Sequence, residues 1–372
     1  MPLLTIDQAK EHTSQAIEDL FSQKIIGIKE AKQAGRHKNY FITLKSGIQV
    51  VARFQKSGSK VRVDPIFGSN STIQREHHLL KLLEHTPIPS PQVYSLCEKN
   101  NKPFLLVEKL EGTSLDKLLK ENNYSASLYL NFVKSLGETI ATLQQKKFNL
   151  YGEVQKSGIT SPNGQGTNNY LDWLSQIIKI RTLPRIDELK SRLSDNQLTQ
   201  VVEYFNQELV GIQEDSNSKP TCVLYDLHVN NFLVNQKGII TGMPDIEFMQ
   251  AAHPSLEISY LYLQSLSYFT NETWHQKAQE TFFESFNKEG EHYDPNNQTI
   301  KRLENLANMN RLLTAVLSYN DRSPNHLDWH ELYTKTFCNS LINTVETGIL
   351  DRLGFVEPIR NKNGRPKEPQ SA

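Results

Sequence analysis

A short polar loop between two apolar runs in the middle of the chain limits the folds that this sequence can adopt. Asp226 follows the run 223–225 and stands five residues before Asn231, after which a second apolar run begins. β-Branched and aromatic residues favour strands, and aspartate and asparagine are common in the turns between them. A second aspartate, Asp245, follows another strand-like run at 239–243. The pattern predicts two strand ends that together carry three oxygen-bearing side chains.

The order of these three residues is typical of phosphoryl-transfer sites. In kinases an acidic side chain orients the attacking hydroxyl, and an amide and a second carboxylate hold magnesium. Asp226 would orient the hydroxyl, and Asn231 and Asp245 would supply the hard oxygen ligands that magnesium prefers. The first two residues alone would indicate only a turn, and Asp245 at the end of the next strand favours the phosphoryl-transfer interpretation.

A carboxylate on an apolar helical face gives a second constraint. Glu76 lies on a predicted helix and shares its face with three leucines, at positions 79, 80 and 83. A buried carboxylate without a partner is costly or changes its protonation. Arg53, on a predicted strand at 48–54, is the natural partner. Such an ion pair would place Arg53 where it could contact nucleotide phosphates.

The first part of the chain has the pattern of a small strand-rich lobe. A capping box at Thr5 predicts a helix through about Phe21. Residues 39–44 and 48–54 flank a short glycine-containing turn and predict a hairpin. A further strand is predicted at 104–107, after a segment rich in proline.

Charged residues and a glycine at 108–112 mark a boundary, beyond which helical patterns dominate. We expect an N-terminal lobe at 1–107 that covers the nucleotide, a hinge at 108–112, a C-terminal catalytic and acceptor-binding lobe at 113–350 and a tail at 351–372, disordered at its end. Within the second lobe, 152–169 is rich in glycine, serine and asparagine and predicts a loop. The predicted fold is α+β and two-lobed, with a small antiparallel sheet in the N-terminal lobe and a larger, mostly helical C-terminal lobe.

Composition excludes several classes of partner. Lysine plus arginine equals aspartate plus glutamate at 41 each, so no global field would attract nucleic acid or an anionic membrane. No apolar run approaches the roughly 20 residues of a membrane helix. Cys97, Cys222 and Cys338 are widely spaced and lack a CxxC pair, which predicts buried thiols in a reducing, cytoplasmic environment.

Taken together, these residues resemble the aminoglycoside phosphotransferase and choline kinase-like superfamily of small-molecule kinases, which share the protein-kinase fold. The resemblance spans roughly residues 25 to 345 and is strongest at 222–257. Asp-Leu-His-x-x-Asn is present as 226–231, and Asp-x-Glu as 245–247. Glu257 stands where the family has an aspartate that braces the catalytic loop.

The resemblance implies a phosphotransferase that moves the γ-phosphoryl group of ATP (or GTP) to a hydroxyl of a small molecule, with Mg²⁺ as cofactor. It implies that Asp226 is catalytic and that Asn231 and Asp245 bind the metal. It also implies a nucleotide site formed by Arg53, Glu76, Gly35, Glu108 and Leu110.

Two departures from the family pattern suggest an alternative. Leu224 replaces a histidine that helps to fix the loop, and Pro244 removes a backbone donor directly before Asp245. The alternative is a pseudokinase that binds nucleotide or serves as a scaffold without turnover. A kinase of protein substrates is disfavoured, because the interval between Asp245 and Glu257 is too short for an activation segment.

Several residues have more than one interpretation at this stage. Glu247 could contact the metal or acceptor, or could brace the loop. Asp172 and Trp173 could line the acceptor site, although an aromatic at helical spacing is more often part of the core. His228 fits a supporting role, and His326 with His330 fits exposed helix positions better than a zinc site. The acceptor also stays open, because 255–372 has no acidic run that would suit a polycation such as an aminoglycoside.

Overall fold

The computed structural model describes residues 4–31, 37–55, 73–98, 103–212, 218–264, 266, 268–269, 272–289, 297–322 and 328–350. Gly35, His326 and the tail at 351–372 lie outside the described residues. The described part has the predicted two-lobed α+β fold, with antiparallel sheets and a mostly helical C-terminal lobe. None of its helices is long and apolar enough to cross a membrane.

The N-terminal lobe is a five-stranded antiparallel sheet with two helices. One helix precedes the predicted hairpin along the chain and the other follows it. Its elements are α1 Ile6–Phe21, β1 Ile25–Glu30, β2 His37–Leu44, β3 Gln49–Gln55, α2 Ile73–Leu83, β4 Val93–Cys97 and β5 Phe104–Glu108. The strand order is β1-β2-β3-β5-β4. The capping box at Thr5 and Gln8 starts α1 as predicted, and the predicted hairpin is β2–β3.

A separate apolar core supports this sheet. Tyr40 of β2, Phe54 of β3 and Phe104 of β5 form a chain of ring contacts, with centroids 5.7 and 5.0 Å apart. Ala9 and Ile17 of α1 belong to the same buried cluster. The core lies on the face of β3 that Phe54 occupies, so the neighbouring Arg53 is placed on the opposite face, because successive side chains alternate along a strand.

The C-terminal lobe contains the remaining elements. They are β6 Thr113–Ser114, α3 Leu115–Glu121, α4 Ala126–Gln144, β7 Gly152–Gln155, β8 Gly158–Ser161, β9 Gly164–Gln165, α5 Tyr170–Gln176, α6 Asp195–Gly211, β10 Thr221–Leu224, β11 Leu233–Val234, β12 Ile240–Gly242, β13 Met249–Ala252, α7 Pro254–Gln264, α8 Glu272–Glu289, α9 Gln298–Arg322 and α10 Asp328–Thr347. Between α5 and α6 the chain forms a π-helical turn and then a 3₁₀ segment that includes Pro184.

The segment 152–169 is not the loop that its composition predicts. It contains β7, β8 and β9, which extend a five-stranded sheet in the order β10-β13-β7-β8-β9. Gly152 has φ 151° and a Cβ there would lie 2.3 Å from the carbonyl oxygen of Thr160. Gly158, with φ 121°, provides the turn between β7 and β8. The glycines therefore serve close strand contacts and tight turns, which composition alone does not distinguish from a loop.

Short strands connect the segment after β5 to the candidate site. β6 pairs with β11, which also pairs with β12. Gly112 has φ 127°, and a Cβ there would lie 2.7 Å from Oγ1 of Thr241 on β12. Only glycine suits this close approach of the two segments. The division of the chain at 108–112 remains a prediction.

The cysteines differ in burial. Cys222 and Cys338 are buried free thiols, as predicted, whereas Cys97 at the end of β4 is only half-buried. Burial raises the pKa of the Cys222 thiol well above its ordinary value, and it raises that of Cys338 to about 11. Both thiols are therefore neutral and behave as small apolar core residues.

Candidate active site

The loop after β10 holds Asp226 and Asn231 in one rigid unit. The side-chain amide nitrogen of Asn231 donates to the backbone oxygen of Asp226 at 3.0 Å. The backbone nitrogen of Asn231 donates to the oxygen of His228 at 2.7 Å, which closes a 3₁₀ turn over Val229–Asn231. Because the amide nitrogen of Asn231 is used in this way, its amide oxygen is the atom left to act as a metal ligand.

His228 contributes to the same turn. Its Nδ1 accepts a hydrogen bond from the backbone nitrogen of Asn230 at 3.3 Å, in the position of a helix N-cap. This contact fits the supporting role that the sequence suggests for His228.

A buried glutamate fixes the strand that leads into the loop. Oε2 of Glu257, on α7, accepts a hydrogen bond from the backbone nitrogen of Leu224 at 2.7 Å. Glu257 is fully buried, and burial raises the pKa of its carboxyl well above the ordinary value, although the Leu224 N–H acts in the opposite direction. Leu224 is thus anchored through its backbone, so the absent histidine side chain is not the only means of fixing this segment.

Asp245 follows β12 on a segment that contacts the N-terminal lobe twice. The backbone nitrogen of Met243 donates to the oxygen of Pro89 at 2.7 Å. The oxygen of Pro244 accepts a hydrogen bond from Nη2 of Arg53 at 2.7 Å. The structure therefore uses the carbonyl of Pro244, a group that proline retains, to hold the residue before Asp245.

The predicted ion pair between Arg53 and Glu76 is formed. Nη1 of Arg53 contacts Oε1 of Glu76, and their side chains are only 10% and 1% exposed. His37 on β2 is also close, with Nδ1 3.4 Å from the other carboxylate oxygen of Glu76. One guanidinium thus links β3 to α2 and, through Pro244, to the segment that carries Asp245.

Negative charge is concentrated around Asp245. Desolvation by burial and, after it, the carboxylates of Glu247, Asp226 and Glu76 together raise the pKa of its carboxyl to about 7, while Arg53 acts in the opposite direction. Three carboxylates therefore act on Asp245, and Arg53 offsets only part of their effect. A divalent cation would relieve this repulsion, and carboxylate and amide oxygens are suitable ligands for magnesium.

The candidate magnesium site has few protein ligands. Among the described residues, no group of three or more histidine, cysteine, aspartate or glutamate side chains is arranged to hold a metal ion. The residues that fit magnesium are Asp245 and the amide oxygen of Asn231. Kinase-type sites complete the magnesium shell with nucleotide phosphates and water, so a sparse set of protein ligands is compatible with that chemistry.

Glu247 has contacts that suit a brace. It is 7% exposed, and its Oε2 lies 4.0 Å from Nδ1 of His37. Its backbone nitrogen donates to Oδ1 of Asp245 at 3.4 Å, which helps to orient that carboxylate.

The other residues that the sequence singles out lie in different parts of the chain. Glu108 ends β5, and its carboxylate accepts from the backbone nitrogen of Gln92 at 3.2 Å. Leu110 packs on β12, since a Cβ added to Gly242 would lie 2.9 Å from its Cδ1. Gly35 is outside the described residues. Trp173 is 1% exposed and part of the core, whereas Asp172 is exposed.

Arg75 is a site-supporting residue whose role the sequence did not reveal. It lies on α2 beside Glu76 and is 3% exposed. Its guanidinium donates to three backbone oxygens, those of Val154 at 3.2 Å, of Met249 at 2.7 Å and of Glu247. The partners are carbonyl groups rather than side chains, so no charge pattern in the sequence indicates them. Arg75 thereby fixes the chain directly after Asp245.

We expect Arg75→Met to destabilise the protein by roughly 2–4 kcal/mol, because buried carbonyl groups lose their charged donor. Urea denaturation measures this change. Arg302→Met is the matched control, since the Arg302 side chain is 46% exposed and also donates to a backbone oxygen, that of Gly211, so its loss should cost less than about 1 kcal/mol. Equal stability losses in the two variants would show that Arg75 does not have this role.

Because the pKa of the Asp245 carboxyl is raised, we expect the stability of the metal-free protein to depend on pH. The folded protein binds this proton more tightly than the unfolded chain does, because the pKa rises from an ordinary 3.8 to about 7. The contribution of the Asp245 carboxyl to the free energy of unfolding is therefore fully present below its ordinary pKa and is lost as the pH rises through about 7. Asp245→Asn, which stays neutral, should be more stable than wild type at about pH 8 by roughly 1–4 kcal/mol.

Denaturation in the presence of a chelator at about pH 5 and about pH 8 measures this difference. The stability difference between Asp245→Asn and wild type should become smaller at the lower pH, where the wild-type carboxyl is protonated in the folded protein. A difference between the two proteins that does not change with pH would contradict the predicted shift.

Comparison with solved structures shows the same fold in proteins of low sequence identity. A candidate fructosamine-3-kinase from Thermobifida fusca is 13% identical, with a TM-score of 0.58, over 92% of this chain and 98% of that chain. An ethanolamine kinase from Plasmodium vivax is 13% identical, with a TM-score of 0.57, over 92% of this chain and 88% of that chain. A macrolide 2'-phosphotransferase from Brachybacterium faecium is 13% identical, with a TM-score of 0.52, over 90% of this chain and 98% of that chain. The fold is therefore that of the kinase-like phosphotransferases.

The sequence itself gives the family. It matches the model of the phosphotransferase enzyme family over residues 32–299, which is more than half of the chain. The chain therefore belongs to this phosphotransferase enzyme family. The matched region contains Arg53, Glu76, Asp226, Asn231 and Asp245. The sequence matches none of the curated proteins with which it was compared.

Proposed function

We propose that this protein is an ATP-dependent kinase that phosphorylates a hydroxyl group of a small molecule. The observation that carries the proposal is the linkage of α2 to the segment that carries Asp245, since Arg53 contacts both Glu76 and the carbonyl of Pro244. The same guanidinium thus connects the proposed nucleotide lobe to the proposed metal ligand. Family membership supports the reaction class, and the names of the structural neighbours support small-molecule acceptors.

In this proposal each residue has a defined part. Asp226 accepts the proton of the acceptor hydroxyl as its oxygen forms a bond to the γ-phosphorus of ATP. The bond between that phosphorus and the oxygen bridging to the β-phosphate breaks, and the electron pair leaves with ADP. Asn231 and Asp245 would hold magnesium, which would compensate the charge of the phosphates. Glu76 and Pro244 orient Arg53 toward the phosphate region.

Glu108 and Leu110, with Gly35, complete the proposed nucleotide site. Glu108 ends β5, and Leu110 packs on β12, which leads to Asp245. Both therefore lie on the connection between the proposed nucleotide lobe and the proposed metal ligand. GTP in place of ATP would use the same phosphate contacts. A cytoplasmic location, with neither nucleic acid nor membrane as partner, is part of the same proposal.

The pseudokinase alternative depends on Leu224 and Pro244, the two departures from the family pattern. The contacts of both residues bear on it. Glu257 anchors the backbone of Leu224, and Arg53 binds the carbonyl of Pro244. These contacts favour an ordered catalytic loop and so favour the enzyme.

A screen of nucleotide turnover tests the proposal. Purified protein with magnesium and ATP or GTP is offered aminoglycosides, amino alcohols, sugars and hydroxy acids, and release of nucleoside diphosphate is followed. The proposal expects at least one acceptor to stimulate turnover above the rate of hydrolysis. A magnesium-dependent thermal shift by nucleotide without transfer to any acceptor would favour the pseudokinase.

A further inference from the structure

A cationic side chain from the helical lobe lies beside the proposed catalytic aspartate. Nη2 of Arg311, on α9, is 3.9 Å from Oδ1 of Asp226. The Arg311 side chain is 15% exposed and that of Asp226 is 35% exposed. Arg311 is 85 positions away from Asp226 along the chain and belongs to no local motif, so the sequence alone does not indicate that the two residues are close.

The contact with Asp226 contributes little to the stability of the fold. At 3.9 Å the two groups attract each other without a hydrogen bond between them. Partly exposed ion pairs of this length add little to folding stability. The position of the guanidinium is more informative than its contribution to stability, since Nη2 lies 3.9 Å from Oδ1 of Asp226, and the space in contact with this partly exposed carboxylate is within reach of the guanidinium.

That space is where the acceptor must lie if the proposed function holds. A hydroxyl that gives its proton to Asp226 sits within about 3 Å of the carboxylate. The carbon atoms next to that hydroxyl are then within reach of the Arg311 guanidinium. An ammonium group at these carbons would be repelled by Arg311, whereas a carboxylate could accept two parallel hydrogen bonds from its planar fork.

We propose that Arg311 selects an acceptor that carries a carboxylate near the hydroxyl that is phosphorylated, so that the substrate is a hydroxy acid. This inference rests on the proposed function and adds the substrate class. In the complex, Arg311 would bind the carboxylate while Asp226 orients the neighbouring hydroxyl. One acceptor could contact both residues, because Oδ1 of Asp226 and Nη2 of Arg311 are only 3.9 Å apart.

α9 is held firmly enough to present Arg311 in a defined position. Asn308, one turn earlier on α9, donates to Oγ of Ser259 on α7, and both residues are buried. Thr314, one turn later, is also buried, and its hydroxyl donates to the oxygen of Asn310 at 2.7 Å. α7 in turn carries Glu257, which anchors the strand that leads to Asp226. Arg311 and Asp226 are therefore positioned by the same helix, α7.

Binding of matched probes tests the inference independently of turnover. Gluconate, sorbitol and glucamine have the same carbon chain with a negative, neutral or positive end group, and glycerate, glycerol and 3-amino-1,2-propanediol form a shorter set. Calorimetric titration of the full chain is performed with and without magnesium and a non-hydrolysable ATP analogue. We expect one of the two acids to bind at least about tenfold more tightly than its neutral partner, and the amine to bind most weakly.

Variants on the same helix separate a specific role from a structural one. Arg311→Gln should remove the preference for the acid, and Arg311→Lys should retain part of it because the charge remains. Arg302→Gln is the matched control, since Arg302 lies on the exposed part of α9 and contacts Glu208 and the oxygen of Gly211. This control should keep the full preference.

Several results would overturn the inference. They are equal binding of the three probes in each set, a preference for the amine, failure of every probe to bind, or an acid preference that survives in Arg311→Gln. Failure of the proposed function gives a different result, in which the acid preference depends on Arg311 but no phosphate is transferred and Asp226→Asn changes nothing in the turnover assay.

Discussion

Asp226→Asn is expected to lower phosphoryl transfer by roughly 10²–10⁴-fold, because the variant can no longer accept the proton of the acceptor hydroxyl. The substitution keeps the size and shape of the side chain. The hydrogen bond from the Asn231 side chain goes to the backbone oxygen of Asp226, which the substitution leaves in place. We therefore expect the fold and the affinity for magnesium nucleotide to stay close to those of wild type.

Initial rates of nucleoside diphosphate formation with a productive acceptor measure this effect, and a nucleotide-dependent thermal shift measures binding. Asp187→Asn is the matched control, since the Asp187 side chain is 71% exposed and pairs with Lys190 on the surface. The control should have wild-type turnover. Wild-type turnover in Asp226→Asn would mean that another residue accepts the proton.

Arg53→Met is expected to destabilise the protein by roughly 3–5 kcal/mol and to abolish magnesium-dependent nucleotide binding. Removal of one partner of a buried pair leaves an uncompensated charge, here the carboxylate of Glu76, which is 1% exposed. The carbonyl of Pro244 also loses its donor, so the segment before Asp245 becomes less constrained. Urea denaturation measures the first effect and calorimetric titration with magnesium nucleotide the second.

The two effects of Arg53 can be separated. The double variant Arg53→Met with Glu76→Gln should recover much of the stability, because the buried carboxylate is gone, but it should not recover nucleotide binding. Arg181→Met provides the comparison, since Arg181 forms a similarly buried pair with Glu153, which is not one of the proposed nucleotide or metal ligands. It should lose stability but bind nucleotide normally. Equal loss of nucleotide binding in both arginine variants would show that the effect comes from stability alone.

Residues whose partners follow from local periodicity could be predicted from the sequence. Glu76 on an apolar face required a cation, and the structure pairs it with Arg53. The spacing of Asp226 and Asn231 indicated a tight loop, and the structure closes it with hydrogen bonds between those two residues and His228. In each case the sequence positions of a few residues limit the possible geometry strongly.

Features that depend on backbone acceptors or on distant helices could not be predicted. Arg75 donates to carbonyl groups, which every residue has, so no side-chain pattern reveals its partners. Arg311 reaches Asp226 only because α9 packs against α7, and that packing follows from tertiary structure. The glycines of 152–169 were consistent with a loop or with close strand pairing, and the pairing of β7 with β8 shows which occurs.

The most direct test of the proposed function follows the phosphate itself. An extract of polar small molecules, including hydroxy acids, is incubated with magnesium ATP and either wild-type protein or Asp226→Asn, and mass spectrometry identifies compounds that gain one phosphate. We expect such a compound with wild type, formed in equal amount to ADP, and little or none with the variant. ATP binding to the wild-type protein without any phosphorylated product would contradict the assignment as a small-molecule kinase and would favour the pseudokinase.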